Sequence, residues 1–442
     1  MAKRFLACAG LALLVAMGGG CKIRLELGAD AQGGPSAALP ALPDPAGDSA
    51  DEASLDAAQQ ARKEEAERYT AEVIYKGGTI VASVALPSGD VLDFVDRGTL
   101  PELPYAIPAL PLGADAFVLP PGMEFGLSEL EQIPELLQLA ATATPFHRPS
   151  FCPYILGEAP DATSVEDYLQ RYQQGGQPFS TDRLYAGLVS KAPNKGVSGY
   201  MSQFRPEVVD RSFSLIEFTV ACPAEGPAQE QIGIVISVDK ENVFGTNRQK
   251  LQDGEARMHI EYARPQSGQV GYVWDGMDGT FVHNPFRVHQ PGEKVPVSIL
   301  NETSVEHLMA IFQVPTGDWW IAYNGDLLGY YPATLFSMLN KGGCRSAWYG
   351  EVYIRNPGTT IKTQMGSGQF GDAGLFYAAH VRNPKYYDLG WLGVEPKDEF
   401  SLIPKEPLCY NRTPLTHLGP PWDSSFFFLG GPGGNHPGCK WP

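Results

Sequence analysis

The sequence predicts an all-β protein: an antiparallel β-sandwich of two packed sheets, jelly-roll-like, preceded by a small mixed N-terminal region. From about residue 182 to 390, short apolar segments follow one another, separated by turn signals. In that stretch only 332–340 has helical features, with Pro near its start and a Gly pair after it. Many short strands with few helices are typical of sandwiches, and 442 residues can build a large core.

Four segments are predicted along the chain. Residues 1–21 have a basic start, an apolar run and small residues, which indicates an export signal. The signal ends at Cys21 and resembles bacterial lipoprotein signals, in which this Cys is lipidated; ordinary cleavage nearby is the alternative. Residues 22–68 are predicted to be a flexible linker followed by a charged helix. Residues 69–176 form the N-terminal region, and 177–442 form the main domain.

Composition limits the partners. The chain has 33 basic and 50 acidic residues, a net charge of −17, which argues against nucleic acid or an anionic membrane surface. Membrane contact is expected only through the N-terminal lipid anchor of an exported, bacterial protein, and we expect a monomer. Motifs typical of zinc peptidases, nucleotide loops and EF-hands are missing, so neither a metal nor a cofactor is predicted.

Five cysteines remain once those of the signal segment, Cys8 and Cys21, are set aside. In an exported protein they indicate two disulfides and one thiol, and the spacing does not determine the pairing. They are Cys152, Cys222, Cys344, Cys409 and Cys439.

One carboxylate stands out in the strand-like segment WYGEVY at 348–353. Strand side chains alternate between faces, so Glu351 shares a face with Tyr349 and Tyr353. A charge in such an apolar strand is a catalytic candidate, a rim position on a solvated sheet face, or a carboxylate hydrogen-bonded to a neighbouring tyrosine.

Long motifs surround this strand. They are GDWWIAYNGDLLGYYPATLF (317–336), KTQMGSGQF (362–370), HVRNPKYYD (380–388) and FFFLGGPGGNHPGC (426–439). Together with WYGEVY they resemble the neprosin family of secreted peptidases, best known from plants, with mild departures at Tyr331 and Tyr349. The N-terminal stretch SGDVLDFVDRGTLP also resembles the activation-peptide segment of that family.

The resemblance implies an antiparallel sandwich with glutamic peptidase activity after proline at acidic pH. It also implies a proregion that covers the cleft until it is removed, and a disulfide between Cys409 and Cys439. Glu351 falls on the second catalytic glutamate of the family. The first catalytic glutamate of the family lies in a segment that corresponds here to QEQIGIVIS, and Gln231 stands at the position of that glutamate.

A Gln/Glu pair is compatible with peptide hydrolysis. Glu351 would activate water and then donate a proton, and the Gln231 amide would stabilise the oxyanion. Alternation along the strand favours Gln231 over Glu230 on the cleft side, because Glu230 shares a face with the isoleucines. Three further side chains are expected to line the cleft or to pack in the core: Trp348, Tyr349 and Gln364.

Two other functions stay open at this point. With Gln231 in place of a carboxylate, the chain could be an inactive sandwich lipoprotein that binds an extracellular peptide or glycan. A glycosidase also uses paired carboxylates, but it would need a second carboxylate facing Glu351. The favoured partner is a peptide or protein substrate.

Overall fold

A computed structural model describes most of the main domain and part of the N-terminal region. In the described part the chain is predominantly strand, and two antiparallel sheets pack face to face, which confirms the predicted all-β sandwich. The described residues are 25–27, 75–86, 90–112, 119–148, 183–209, 212–223, 229–239, 254–266, 269–276, 279–354, 362–397, 400–402, 408–437 and 439.

The first sheet of the sandwich has seven strands, and all of its pairings are antiparallel. In spatial order they are β11 (Gln269–Trp274), β10 (Ala256–Gln266), β9 (Glu230–Val238), β8 (Ser212–Cys222), β16 (Arg345–Ile354), β6 (Arg183–Ser190) and β19 (Phe400–Leu402).

The second sheet has eleven strands, eight of them in one continuous order. That order is β12 (Val282–His283), β15 (Asp326–Tyr331), β14 (Trp319–Tyr323), β13 (Ser304–Gln313), β7 (Gly196–Ser202), β17 (Ala379–Tyr387), β22 (Ser424–Gly430) and β20 (Asn411–Arg412). The other three are β4 (Met123–Phe125) on β13, β18 (Gly393–Val394) on β17 and β21 (Thr416–Leu418) on β22.

A smaller sheet and a helix form an N-terminal unit. Four antiparallel strands pair in the order β1, β2, β3, β5, and β1 lies in the segment predicted to be a linker. Pro134 occupies the first turn of α1, where its missing N–H group costs no hydrogen bond, because N–H groups in the first turn have no partner within the helix. The elements are β1 (Leu25–Leu27), β2 (Ile80–Ala85), β3 (Val91–Asp96), β5 (Ala143–His147) and α1 (Pro134–Ala140).

The main core lies between the two large sheets because the inward positions of their strands are apolar. Ile232, Ile234 and Ile236 of β9 enter this core together with Ile311 and Ile321 of the facing sheet. Alternation with a period of two is the sequence property that produces such a layer.

The segment predicted to be helical, 332–340, forms 3-10 turns at Ala333–Leu335 and Leu339–Lys341 instead. The carboxylate of Glu230 accepts hydrogen bonds from the backbone N–H groups of Ser337, Met338 and Leu339, where the second turn begins. Those N–H groups are therefore satisfied from outside the segment. Further 3-10 turns lie at Arg97–Thr99, Gly371–Ala373 and Gly433–Asn435.

The N-terminal unit is joined to the sandwich by pairing and by buried polar contacts. β4 pairs in parallel with β13, and the Thr144 hydroxyl donates a 2.5 Å hydrogen bond to the Pro285 carbonyl. Arg257 of β10 forms a buried ion pair with Asp90. Among the helices of the described residues, none is long and apolar enough to cross a membrane.

Candidate active site

The two faces of the seven-stranded sheet differ in chemistry. One face supplies the isoleucines of the core, and the strand registers place a set of polar side chains together on the other. We call this second face the carboxyl face. Its functional candidates are Arg183, Tyr185, Glu217, Gln231, Gly233, Glu261, Tyr349 and Glu351.

The register of β16 and β8 brings two carboxyl groups close together. Glu351 lies opposite Leu215, and Tyr349, two residues earlier, lies opposite Glu217. Glu217 is therefore the diagonal neighbour of Glu351, a relationship that sets Cβ atoms about 7 Å apart. The two glutamates thus form a carboxyl pair on adjacent strands.

Glu217 is enclosed by hydrogen-bond donors. The Tyr349 hydroxyl donates to its Oε2 at 2.6 Å, and the Gln231 amide donates to its Oε1 at 3.3 Å. Burial, followed by the charge of Glu261 and a hydrogen bond to it, raises the pKa of Glu217 well above its usual range. This carboxyl group is therefore suited to hold a proton in mildly acidic solution.

Glu261 reaches the same place from β10. The Gln231 amide donates to Oε1 of Glu261 at 2.6 Å. Between the two glutamates runs β9, where Gly233 has no side chain and the space above it is occupied by the side chains of Glu217 and Glu261. Burial raises the pKa of Glu261 to about 7, although the hydrogen bonds from Glu217 and Gln231 favour its charged form.

Glu351 is paired with a cation. Arg183 of β6 forms an ion pair and hydrogen bond with its Oε1. The guanidinium group also lies over the rings of Phe213 and Tyr353, 5.7 and 5.0 Å from the centroids. Burial raises the pKa of Glu351, and the charge and hydrogen bond of Arg183 counteract that rise. Of the carboxyl groups on this face, Glu351 is the one with a paired positive charge.

The structure does not bring Gln231 to Glu351. Glu351 is aligned across the sheet with Leu215, and Leu215 with Ser237 of β9. Ser237 lies six residues beyond Gln231 along β9, which corresponds to roughly 20 Å at the rise of a strand. Glu217, rather than Gln231, is the neighbour of Glu351.

The comparison with family models gives one match. Residues 244–432 match the model described as Neprosin, and this range contains Glu261, Glu351 and the motifs at 317–336 and 362–370. Residues 244–432 are a neprosin-family domain. The neprosin match begins after β9, so Glu217 and Gln231 lie outside it.

Solved structures show remote similarity to this chain. A crystal structure of scytalido-glutamic peptidase with a peptide-based transition-state analogue has a TM-score of 0.27 and 8% identity, covering 55% of this chain and 97% of that one. SCP-B, an eqolisin-family peptidase in complex with the tripeptide Ala-Ile-His, has a TM-score of 0.25 and 8% identity, covering 55% and 96%. A Bacteroides ovatus GH16 protein with a glucan product has a TM-score of 0.25 and 7% identity, covering 39% and 66%. Scores this low assign no activity to the chain.

Three side chains expected near the cleft have different positions. Tyr349 lies on the carboxyl face and contacts Glu217. Trp348 points the opposite way into the core, where its indole donates to the Ser198 carbonyl, so it is not part of the site. The Gln364 side chain accepts a hydrogen bond from the backbone N–H of Glu207 in the loop after β7, and this contact lies off the carboxyl face.

Two disulfides lie in the described part of the main domain. The structure contains the Cys409–Cys439 bond that the resemblance implies, and it also joins Cys222 to Cys344. Cys152 and the lipidation candidate Cys21 lie outside the described residues. In the part of the chain that the structure describes, no group of three or more His, Cys, Asp or Glu side chains is arranged to hold a metal ion.

Glu217 and Glu261 are not among the site residues predicted from the sequence. Each is a lone carboxylate in an apolar strand, in the segments SLIEFTV and RMHIEYA, the same signal that drew attention to Glu351. A search for every such carboxylate would have found both. Their proximity, however, depends on the strand order and on the register.

Proposed function

We propose that this protein is a glutamic peptidase that hydrolyses peptide bonds in acidic to mildly acidic solution, after proline as the family resemblance implies. The observation that carries the proposal is the pair Glu217 and Glu351, buried on adjacent strands of one sheet face. The neprosin-family domain supports the same reaction. We further propose an exported, monomeric protein that acts on peptides or proteins and is anchored through Cys21.

The two carboxyl groups divide the chemistry because their surroundings differ. Arg183 favours the ionised form of Glu351, so Glu351 takes a proton from water as the water oxygen attacks the peptide carbonyl carbon. Burial holds Glu217 protonated, and Glu217 gives its proton to the leaving nitrogen as the C–N bond breaks. The water proton held by Glu351 then returns to Glu217, which resets the pair.

Gln231 has a different task in this proposal from the one expected from the sequence. Its amide donates to Glu261 and Glu217, which leaves Glu217 as the partner of Glu351. Beside this pair, small residues lie in one row across three strands: Ala347, Thr219 and Gly233.

The decisive test is hydrolysis of a proline-containing peptide by the full chain, with and without removal of the N-terminal region, from about pH 2 to about pH 7. Glu351→Gln and Glu217→Gln should each lower kcat at least about 100-fold. The exposed carboxylate Glu302 supplies the matched control, and Glu302→Gln should leave the rate unchanged.

The results separate the proposal from its rivals. No cleavage by the wild type at any pH would overturn the peptidase and favour a binding protein. Full activity of Glu351→Gln would overturn the site assignment.

A glycosidase is the second candidate, because Glu217 supplies the second carboxyl group that this reaction requires. The same variants should therefore be tested on β-glucans. Loss of glucan hydrolysis in Glu217→Gln and Glu351→Gln, in a protein that cleaves no peptide, would identify this second activity.

A further inference from the structure

Three polar side chains meet above Gly233 in an arrangement that the two-carboxyl mechanism does not use. Glu217 arrives from β8 and Glu261 from β10, on either side of β9. The single Gln231 nitrogen Nε2 contacts Oε1 of both glutamates, at 3.3 and 2.6 Å. No more than 3% of either glutamate is exposed.

The chemistry of these groups favours one shared proton. An amide nitrogen has two hydrogens, so Gln231 can donate to both carboxyl groups at the same time. Two buried carboxyl groups at this separation cannot both ionise without strong repulsion, and one proton held between them removes it. The burial of both groups and a hydrogen bond between them, which raises the pKa of Glu217, agree with such a pair.

We infer that Glu261 is a positioning residue of the proposed peptidase, which holds the transferable proton on Glu217 by sharing it, while Gln231 fixes the geometry of both carboxyl groups. The inference rests on the proposed function of Glu217 and Glu351. It names a third carboxyl group and gives the glutamine a structural task in proton transfer.

The proton balance follows directly. When Glu217 gives its proton to the leaving nitrogen, Glu217 and Glu261 are both left as adjacent anions. The proton that Glu351 took from water then moves to this pair, so every catalytic cycle ends with one proton on the pair and none on Glu351. Repulsion between the two anions favours this return.

Other charged groups around Glu261 affect the protonation of the Glu217–Glu261 pair. From β16 and β6, the charge of Glu351 raises the pKa of Glu261 and that of Arg183 lowers it. Tyr349 contacts Glu217 from β16. On its own strand the nearest titratable residue on the same face is His259, which is bound to Asp275 at 2.9 Å; the adjacent Tyr262 points into the core.

The test compares Glu261→Gln with the wild type by a full pH–rate profile. Without Glu261 the proton leaves Glu217 more easily, so the high-pH limb should move down by about one pH unit, and activity near neutral pH should fall about tenfold. Glu261→Asp should move the high-pH limb part of the way back to its wild-type position. A purely structural role would lower the rate equally at all pH values and leave the limb in place, which would overturn the inference.

Infrared titration of protonated carboxyl groups tests the pair without using activity. The wild type should retain a buried protonated carboxyl group towards neutral pH, and Glu261→Gln and Glu217→Gln should both lose this signal at lower pH. Thermal unfolding verifies that the variants are folded, with Glu302→Gln as the control. An unchanged titration in Glu261→Gln overturns the inference. A shifted titration in a protein that cleaves no peptide supports the pair and overturns only the peptidase.

Discussion

Gly233 lies beneath the carboxyl group of Glu217, so closely that a Cβ atom at this position would be 2.4 Å from Oε1 of Glu217. The same Cβ atom would lie 2.8 Å from Cγ and 3.0 Å from Oε1 of Glu261. Carbon atoms do not approach oxygen this closely without a shift of one partner. The missing side chain at 233 is therefore what allows the two glutamates to meet.

Gly233→Ala should separate Glu217 from Glu261 and lower peptidase activity at least about tenfold, the scale expected for a misplaced proton donor. Overpacking should also lower the free energy of unfolding by about 1–3 kcal/mol. The matched control is Gly419→Ala, since a Cβ atom at 419 would meet no atom within 4 Å. Wild-type kcat in Gly233→Ala would show that the pair does not need this space.

Arg183 sets the acid limb of the proposed activity through its ion pair with Glu351. Because Arg183 counteracts the rise of the Glu351 pKa caused by burial, Arg183→Met should raise that pKa. The low-pH limb of the kcat/KM profile should then move up by about one pH unit. Arg183→Lys keeps the charge and should show a smaller displacement. An acid limb that stays in place in Arg183→Met contradicts the role of Glu351 as the base.

His289 should make stability depend on pH, apart from any catalysis. It is buried, and its ring nitrogens lie 2.6 Å from Glu293 and 3.3 Å from Glu131 of the N-terminal unit. Burial alone would lower its pKa, but Glu293 and Glu131 raise it to about 10. The contribution of protonated His289 to the free energy of unfolding is therefore complete below the unfolded pKa of about 6.5, and it is lost as the pH rises through about 10.

His289→Gln should cost about 3 kcal/mol of unfolding free energy at about pH 6, because a charge is removed from a buried pair. The cost should shrink towards about pH 10, where the wild-type histidine is losing its proton. Chemical unfolding at both pH values measures the difference. The exposed His417 provides the control, and His417→Gln should show little change at either pH. A cost that is equal at both values would mean that packing, not charge, is responsible.

The two disulfides should differ in their contribution to stability. Cys222–Cys344 joins residues 122 apart in sequence, and Cys409–Cys439 joins residues 30 apart. Closing the longer loop removes more conformational entropy from the unfolded chain, so replacing Cys222 and Cys344 by Ser should cost about 1 kcal/mol more than replacing Cys409 and Cys439. Chemical unfolding of the two double variants provides the comparison. An opposite order would show that native-state contacts outweigh the chain-entropy effect.

Several features of the fold could be predicted from the sequence because they depend on local periodicity. Alternation along β9 separates the isoleucines from Gln231 and Gly233, and the structure places these two sets on opposite faces. The same alternation places Glu351 and Tyr349 on one face. The helix predicted at 332–340 is absent because a contact distant in sequence, the Glu230 carboxylate, binds the N–H groups of this segment.

The sequence by itself determined the β-sandwich, the resemblance to the neprosin family and the face on which each strand residue lies, because a period of two is a property of neighbouring residues. Only the tertiary structure decided which carboxyl groups meet. A strand shifted by two residues keeps the same face towards the core but moves each side chain by about 7 Å. Register therefore made Glu217 the neighbour of Glu351 and brought Glu261 to Gln231, and no local pattern in the chain contains that information.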